Sequence, residues 1–241
     1  MASERPDLLG VLGGMGPLAT VDFLAKLVAL TPAERDADHL PLVLWSVPQV
    51  PDRVAPILEG AGPSPLPALL EGARALEAAG ARAIAMPCHT AHYWADELAA
   101  ACPVPLLHIA DAAMAELGRR GLAPGAAVGL LATRATWKAG FYQSRLAAAG
   151  YRLLAPAEAE VVGTVLPAIA LVKRGETARA RPLVERAVAA LVDASAEAVL
   201  LACTELPAAF AGHSLPAVAV DGTAALARAC IDWGLAQRRR G

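Results

Sequence analysis

Short apolar runs alternate with longer alanine-rich stretches along most of the 241 residues. Eight apolar runs predict buried strands: Leu8–Gly13, Leu42–Val47, Ala83–Met86, Val104–Ile109, Ala127–Leu131, Arg152–Leu154, Ala198–Ala202 and Ala217–Val220. Five of the longer stretches predict helices: Leu18–Leu30, Pro65–Ala79, Thr90–Ala101, Trp137–Ala148 and Arg179–Ala194. Strands and helices in this rhythm predict an α/β fold with parallel sheets and right-handed crossovers.

The chain also contains an internal repeat. The segment GVLGGMGPLATVDFLAKL, from Gly10, lies over GLLATRATWKAGFYQSRL, from Gly129. AIAMPCHT lies over AVLLACTE, which brings Cys88 onto Cys203, and VPLLHIAD lies over LPAVAVD. Three matches in the same order predict two similar half-domains. We expect residues 1–112 to form the first half, with a C-terminal helix over residues 222–241 packing back on it, and residues 113–221 to form the second.

Composition and charge exclude several classes of protein. The formal net charge of −2 gives no electrostatic reason to expect nucleic acid binding. No apolar stretch reaches the roughly 18 residues of a membrane helix, and the N-terminal MASERPDLLG lacks the pattern of a signal peptide. We therefore expect a soluble cytoplasmic protein, in which four widely spaced cysteines are free thiols.

The matched cysteines are the strongest candidates for chemistry. Each follows an apolar strand and precedes residues that begin a helix, and ligands in α/β sheets bind at the carboxyl ends of strands. A helix N-terminus lowers the pKa of a thiol and presents N–H groups to an anion. Two cysteines that face one cleft from opposite sides could remove a proton from one face of a carbon and return one to the other. Neither a metal nor a cofactor is needed for this chemistry. Cys102 and Cys230 lie in alanine-rich helical contexts and are predicted to pack as small apolar residues.

Five motifs resemble those of the aspartate/glutamate racemase family, and most closely its aspartate racemase branch. They are GVLGGMGPLAT from Gly10, VPQVPDR from Val47, PCHTAHYW from Pro87, LVKRGE from Leu171 and ACTELP from Ala202. The resemblance covers nearly the whole chain. It implies two α/β domains with pseudo-two-fold symmetry and an active site in the cleft between them. It also implies a homodimer that uses neither pyridoxal phosphate nor a metal.

By position, the resemblance assigns Cys88 and Cys203 as the acid/base pair. Arg53 and Lys173 would bind substrate carboxylates. Further residues that would line the site are Met15, Thr90, Thr204 and Glu205. His89 stands where the family usually has Asn, and it alters the hydrogen bonds offered to the substrate's amino group or α-carboxylate because its ring is bulkier and can charge.

These residues favour a racemase of an acidic amino acid, aspartate first and glutamate next. Broader amino-acid specificity, a hydantoin racemase, a decarboxylase and a cis–trans isomerase stay open within the superfamily. A cysteine hydrolase would leave Cys203 unexplained, and a two-lobed amino-acid-binding protein is a third class.

Gly14, Gly16 and Ala19 match a dinucleotide fingerprint but lack its acidic residue at the end of the second strand. Cys88, His89 and His92 are not expected to bind zinc, because no C-x-x-C pair or other group of clustered ligands accompanies them.

Overall fold

A computed structural model of the chain describes residues 7–239, in which eight strands form two parallel sheets. The strands of the first sheet are β1 (Leu8–Gly13), β2 (Leu42–Ser46), β3 (Ala81–Ala85) and β4 (Leu106–Leu107). Those of the second are β5 (Ala127–Ala132), β6 (Arg152–Leu154), β7 (Ala198–Ala202) and β8 (Ala219–Asp221). The strand orders are β2-β1-β3-β4 and β6-β5-β7-β8, so both halves have the same topology. The predicted α/β fold with two similar parallel-sheet domains is confirmed.

Twelve α-helices connect and cover these strands within the described range. They are α1 (Pro17–Leu30), α2 (Val54–Glu59), α3 (Leu66–Ala78), α4 (Ala95–Ala101), α5 (Ile109–Arg119), α6 (Arg134–Ala139), α7 (Phe141–Ala148), α8 (Glu158–Glu160), α9 (Leu166–Lys173), α10 (Thr177–Asp193), α11 (Glu205–Ala208) and α12 (Gly222–Arg238). Short 3-10 helices span Asp36–Asp38 and Thr90–Trp94, and a π-helical turn spans Val161–Val165. Among residues 7–239, none of the helices has the length and apolar character needed to cross a membrane.

Two predicted helices differ in the structure. The stretch Thr90–Ala101 begins as a 3-10 helix because the His92 N–H donates to the His89 carbonyl at 3.1 Å, while the Cys88 carbonyl accepts from the His92 ring at 2.9 Å. The stretch Trp137–Ala148 is divided by Gly140, whose positive φ of 76° ends α6 before α7 begins. The predicted strand Val104–Ile109 is reduced to β4, since His108 already caps α5 by accepting from the Ala110 N–H.

The C-terminal helix α12 packs against α1 and α5. Its residues Leu226 and Cys230 share a core with Phe23 of α1 and with the first sheet. Helix α5 contributes to this core and also to the core under the second sheet, where Leu117 packs with Tyr142. The predicted boundary between residues 112 and 113 therefore falls inside a helix that contacts both cores, and the division into residues 1–112 with 222–241 and 113–221 stays a prediction. Residues 1–6, 240 and 241 lie outside the described part of the chain.

Candidate active site

The two matched cysteines follow equivalent strands of the two sheets. Cys203 comes directly after β7, and Cys88 comes three residues after β3. Both are buried, with 6% of the residue surface exposed. They line one cavity of about 40 Å³, so the repeat brings its two cysteines to a single place.

All of the site residues predicted from the sequence line this cavity. They are Met15, Arg53, Cys88, His89, Thr90, Lys173, Cys203, Thr204 and Glu205. Sequence reasoning did not single out three further lining residues, which are Asp52, Val54 and Thr133. The cavity has room for only a few water molecules, since a single water needs at least about 10–15 Å³ of such space.

Gly14 shapes the loop that carries Met15 to the cavity. Its φ is +91°, and a Cβ added there would lie 2.6 Å from the backbone of Val47. Its N–H donates to Thr20 Oγ1 at 2.9 Å, which ties the loop to the first turn of α1. Only glycine meets both the backbone conformation and the close approach. The opening motif therefore serves to fold a tight loop against the end of β2.

Cys88 faces a cationic neighbour. Burial has the largest effect on this thiol and raises its pKa above the ordinary value. The Arg53 guanidinium and a hydrogen bond from the Ala91 N–H lower the pKa, and the Glu205 carboxylate raises it further. Arg53 Nη1 also donates to the Pro51 carbonyl at 3.2 Å. Asp52 caps α2 by accepting from the Val54 and Ala55 N–H groups at 2.9 Å. The Pro-Asp-Arg segment thus holds Arg53 beside Cys88 through its own backbone contacts.

Cys203 faces an anionic neighbour instead. Its Sγ donates to Glu205 Oε2 at 3.0 Å, and Thr204 Oγ1 donates to the same oxygen at 3.1 Å. Burial raises the pKa of this thiol most, the Glu205 carboxylate raises it further, and the Lys173 ammonium lowers it. The helices that follow the cysteines were expected to lower the pKa of each thiol. At both thiols, burial outweighs that effect and the pKa is raised.

His89 is anchored away from solvent. Its Nδ1 lies 2.7 Å from Tyr142 Oη, and a Cβ at Gly222 would lie 2.5 Å from its Cε1. Burial, followed by the nearby His92 and Lys26, lowers the pKa of His89 well below its ordinary value, so the ring is neutral near pH 7. The His89 ring is therefore held by Tyr142 of the second half of the chain and by the start of α12.

His92 connects the Cys88 loop to α5. Its Nδ1 donates to the Cys88 carbonyl at 2.9 Å, and its Nε2 accepts from the Ile109 N–H at 3.2 Å. These two bonds require the neutral ring. Burial is the main cause that lowers its pKa to about 3, and the neighbouring His108 lowers it further. His92 is therefore a positioning residue for the backbone of Cys88.

Three threonine hydroxyls join the two halves next to the cavity. Thr90 Oγ1 lies 3.2 Å from Thr133 Oγ1 and 3.0 Å from Thr136 Oγ1, and the latter two atoms are 3.0 Å apart. Thr133 caps α6 and lies over Gly14 in the internal repeat. That match was the signal in the sequence that could have identified Thr133, because Gly14 opens the corresponding loop of the first half.

No cluster of three or more His, Cys, Asp or Glu side chains suited to a metal ion occurs among residues 7–239. In particular, His92 uses both ring nitrogens in bonds to backbone groups and has none left for a metal. The four cysteines are free thiols.

Residues 12–230 match the family described as Asp/Glu/hydantoin racemase. An aspartate racemase from Picrophilus torridus is 33% identical, with 95% of this chain and 94% of that chain covered and a TM-score of 0.82. The broad specificity amino-acid racemase RacX of Bacillus subtilis is 27% identical, with 95% of this chain and 99% of that protein covered. Glutamate racemase from Francisella tularensis, solved with D-glutamate, is 15% identical and shares the fold at a TM-score of 0.63. The match covers 97% of this chain and 82% of that chain.

The match to the family spans nine-tenths of the chain and contains both matched cysteines. The two-sheet architecture agrees with that of the Picrophilus enzyme over almost its whole length. The chain belongs to the Asp/Glu/hydantoin racemase family and is an isomerase of the racemase class.

Proposed function

We propose that this protein is a cofactor-independent racemase that interconverts the L- and D-forms of an acidic amino acid, aspartate first and glutamate next. The observation that carries the proposal is that Cys88 and Cys203, from equivalent strands of the two sheets, line one buried cavity. A group on each side of the substrate's α-carbon is what inversion by two bases requires.

In the proposed reaction, one cysteine thiolate takes the α-proton and the other thiol delivers its proton to the opposite face of the carbon. The first sulfur ends as a thiol and the second as a thiolate, so protons and charge balance. The reverse reaction exchanges the two roles. Arg53 beside Cys88 and Glu205 bonded to Cys203 favour Cys88 as the thiolate and Cys203 as the thiol when substrate enters.

Substrate binding is itself part of this chemistry. Burial keeps the pKa of both thiols raised in the free cavity. The substrate's α-ammonium adds a positive charge at close range, and an opposite charge stabilises a thiolate. We infer that the base forms mainly in the substrate complex, where water is excluded and each charge has a partner.

Two cations of the cavity support an acidic substrate, because the two lining carboxylates already have partners: Asp52 at the start of α2 and Glu205 at Cys203. The Arg53 guanidinium can bind a carboxylate through two parallel hydrogen bonds, and Lys173 adds a second cation. Thr204 Oγ1 donates its proton to Glu205 and can still accept from the substrate's ammonium, while Thr90 Oγ1 is bonded to Thr133 and Thr136. Met15 supplies an apolar wall. We propose that His89 forms part of the cavity wall and offers the substrate no hydrogen bond at Nδ1, which is already bonded to Tyr142.

We further propose that the enzyme is a cytoplasmic homodimer. Four buried free thiols suit a reducing compartment, and a dimer is what the resemblance of the sequence implies. Light scattering of the purified protein tests the dimer, and a monomer at micromolar concentration would contradict it.

The decisive experiment is turnover of the apoprotein in deuterated water with a panel of L- and D-amino acids, followed by NMR for α-deuteration and by chiral chromatography. We expect aspartate to gain deuterium and to racemise without added metal or pyridoxal phosphate. Cys88→Ala and Cys203→Ala should each abolish racemisation, since neither variant retains an acid/base thiol on both faces of the substrate's α-carbon. Cys102→Ala is the matched control, because Cys102 is equally buried at 5% exposure and does not line the cavity. Full racemisation by Cys203→Ala would contradict the two-base mechanism, and the absence of α-deuteration with every amino acid would contradict the function.

A further inference from the structure

A second, larger cavity adjoins the one that contains the cysteines. Its volume is about 250 Å³, against about 40 Å³ for the first. The start of α1, the end of α9 and the short helix α11 form its walls. Lys173, Thr204 and Glu205 line both cavities and separate them. The two spaces are therefore neighbours across a partition of these three side chains, in which Glu205 accepts hydrogen bonds from Cys203 and Thr204 and Lys173 is exposed.

The wall of the second cavity outside this partition is apolar. It is formed by small or aliphatic groups, chiefly Leu18, Ala19, Val172 and Ala208. Ala19, Val172 and Ala208 are buried, whereas Leu18 is 45% exposed and stands at the mouth. Among residues 7–239, the charged residues that line this cavity are Lys173 and Glu205 of the partition, which carry opposite charges. This chemistry suits a neutral aliphatic group better than a carboxylate.

We infer that the second cavity receives the side chain of substrates longer than aspartate, and that the enzyme also accepts α-amino acids with unbranched, neutral, aliphatic side chains. This inference rests on the proposed racemase function. The cavity at the cysteines has room for only a few water molecules, and Lys173, Thr204 and Glu205, which line both cavities, mark the side on which a chain of several methylenes would extend into the larger space. Leu18 and Ala208 are then specificity-determining residues, because their bulk sets how much of that chain is buried.

Burial of each additional methylene stabilises the bound state by an amount that corresponds to about a fourfold increase in affinity. Since binding of a remote, non-reacting group raises kcat/KM, the logarithm of kcat/KM should increase with side-chain length along the series 2-aminobutyrate, norvaline and norleucine. The slope along the series is the quantity that measures the subsite, whatever the absolute rate with aspartate.

The test compares this slope in the wild type, in Leu18→Trp and in Val192→Trp, with racemisation followed by chiral chromatography. Leu18→Trp places a bulky ring at the cavity mouth. Val192 is 40% exposed on α10 and lines neither cavity, so its variant controls for an added surface tryptophan. We expect an increase of about fourfold per methylene in the wild type and in Val192→Trp, and a flat or falling series in Leu18→Trp. Ala208→Leu, which fills the cavity from α11, should give the same flattening if Leu18→Trp does not fold.

Several outcomes overturn the inference. One is a flat series in the wild type. A second is a slope that Leu18→Trp and Ala208→Leu leave unchanged. A third is an equal loss with aspartate and norleucine in both cavity variants, which would make the cavity an entrance and not a side-chain subsite. Failure of the proposed function is distinct from all of these, because then aspartate itself gains no α-deuterium.

Discussion

Cys203 Sγ donates a hydrogen bond to Glu205 Oε2 at 3.0 Å, and the carboxylate that accepts it is only 8% exposed. Burial raises the pKa of Cys88, which lines the same cavity; among the charges near this thiol, Arg53 lowers the pKa more than Glu205 raises it. The balance of charges therefore differs between the two thiols although they occupy equivalent positions in the repeat: a cation has the larger effect at Cys88 and an anion at Cys203. A nearby anion disfavours a thiolate and a nearby cation favours it. We therefore expect Cys88 to ionise before Cys203.

Glu205→Gln should make Cys203 more reactive. The substitution removes the charge that raises the pKa of the Cys203 thiol, so more thiolate is present at a given pH and alkylation is faster. The measurement is the rate of iodoacetamide modification at pH 8, resolved by peptide mass spectrometry, with Cys102, which does not line the cavity, in the same digest as internal reference. We expect Cys88 to react first in the wild type and the gap to narrow in Glu205→Gln. A Cys203 rate that does not change would show that the carboxylate does not control this thiol.

Arg53→Ala should reduce selectivity for an acidic substrate. Loss of a charged partner in a closed site costs about 2–5 kcal/mol of binding energy. Aspartate should bear this cost through its side-chain carboxylate, whereas alanine has no such group and should not. The measurement is the ratio of kcat/KM for aspartate to that for alanine, which should fall sharply. Arg82→Ala is the control, since Arg82 is an exposed arginine on β3 that does not line the cavity. An unchanged ratio, or a wild type that prefers alanine to aspartate, would show that the substrate class is wrong.

Burial of His92 should make the protein less stable as the pH falls. The pKa of His92 is about 3 in the folded protein and near 6.5 when unfolded, so between these values the unfolded chain binds more protons. The stabilisation is complete above pH 6.5 and is lost by up to about 1.4 kcal/mol per pH unit below it. His108, whose pKa is also lowered to about 3 by burial, acts in the same direction.

His92→Gln isolates the contribution of this residue. Urea unfolding of both proteins at pH 7, 5 and 4 gives two free energies of unfolding at each pH. The variant should be less stable than the wild type at pH 7, because it disturbs the bonds to the Cys88 carbonyl and the Ile109 N–H. The difference should shrink toward pH 4. A constant difference would mean that His92 does not titrate in this way.

Gly14→Ala should destabilise the fold and displace Met15. The change combines a left-handed backbone with a Cβ 2.6 Å from the Val47 backbone, and we expect a loss of at least about 2 kcal/mol. Gly80→Ala is the matched control: its φ is +95°, but nothing lies within 4 Å of the added Cβ. Thermal unfolding of both variants separates steric overlap from backbone strain. If both variants lose the same stability, the close approach of the added Cβ to Val47 is not a cause of the destabilisation.

His89 and Tyr142 should be energetically coupled. His89→Asn leaves the buried Tyr142 hydroxyl without its partner. We expect the free energy of unfolding to fall by about 1–3 kcal/mol as a result. The double variant His89→Asn/Tyr142→Phe removes both groups and should cost less than the sum of the single changes. A double-mutant cycle of unfolding free energies measures this coupling, and additive effects would indicate that the 2.7 Å contact contributes nothing.

The sequence by itself determined the architecture and the chemistry of this protein to a large extent. Apolar runs identified all eight strands, and the repeat aligned β3 with β7 and so Cys88 with Cys203. Strand and helix patterns depend on neighbours along the chain, which is why they can be recognised locally. Motif resemblance supplied the remaining residues of the cavity, apart from Thr133 and two neighbours of Arg53.

Tertiary structure alone decided the environment of each of these groups. The bond of Cys203 to Glu205, the attachment of His89 to Tyr142 and the histidine that holds the Cys88 carbonyl all depend on how side chains are oriented after packing. The same holds for the thiol pKa values, which the sequence led us to expect low and which burial raises. Desolvation and charge–charge distances are properties of groups brought together from distant parts of the chain, and no local pattern encodes them.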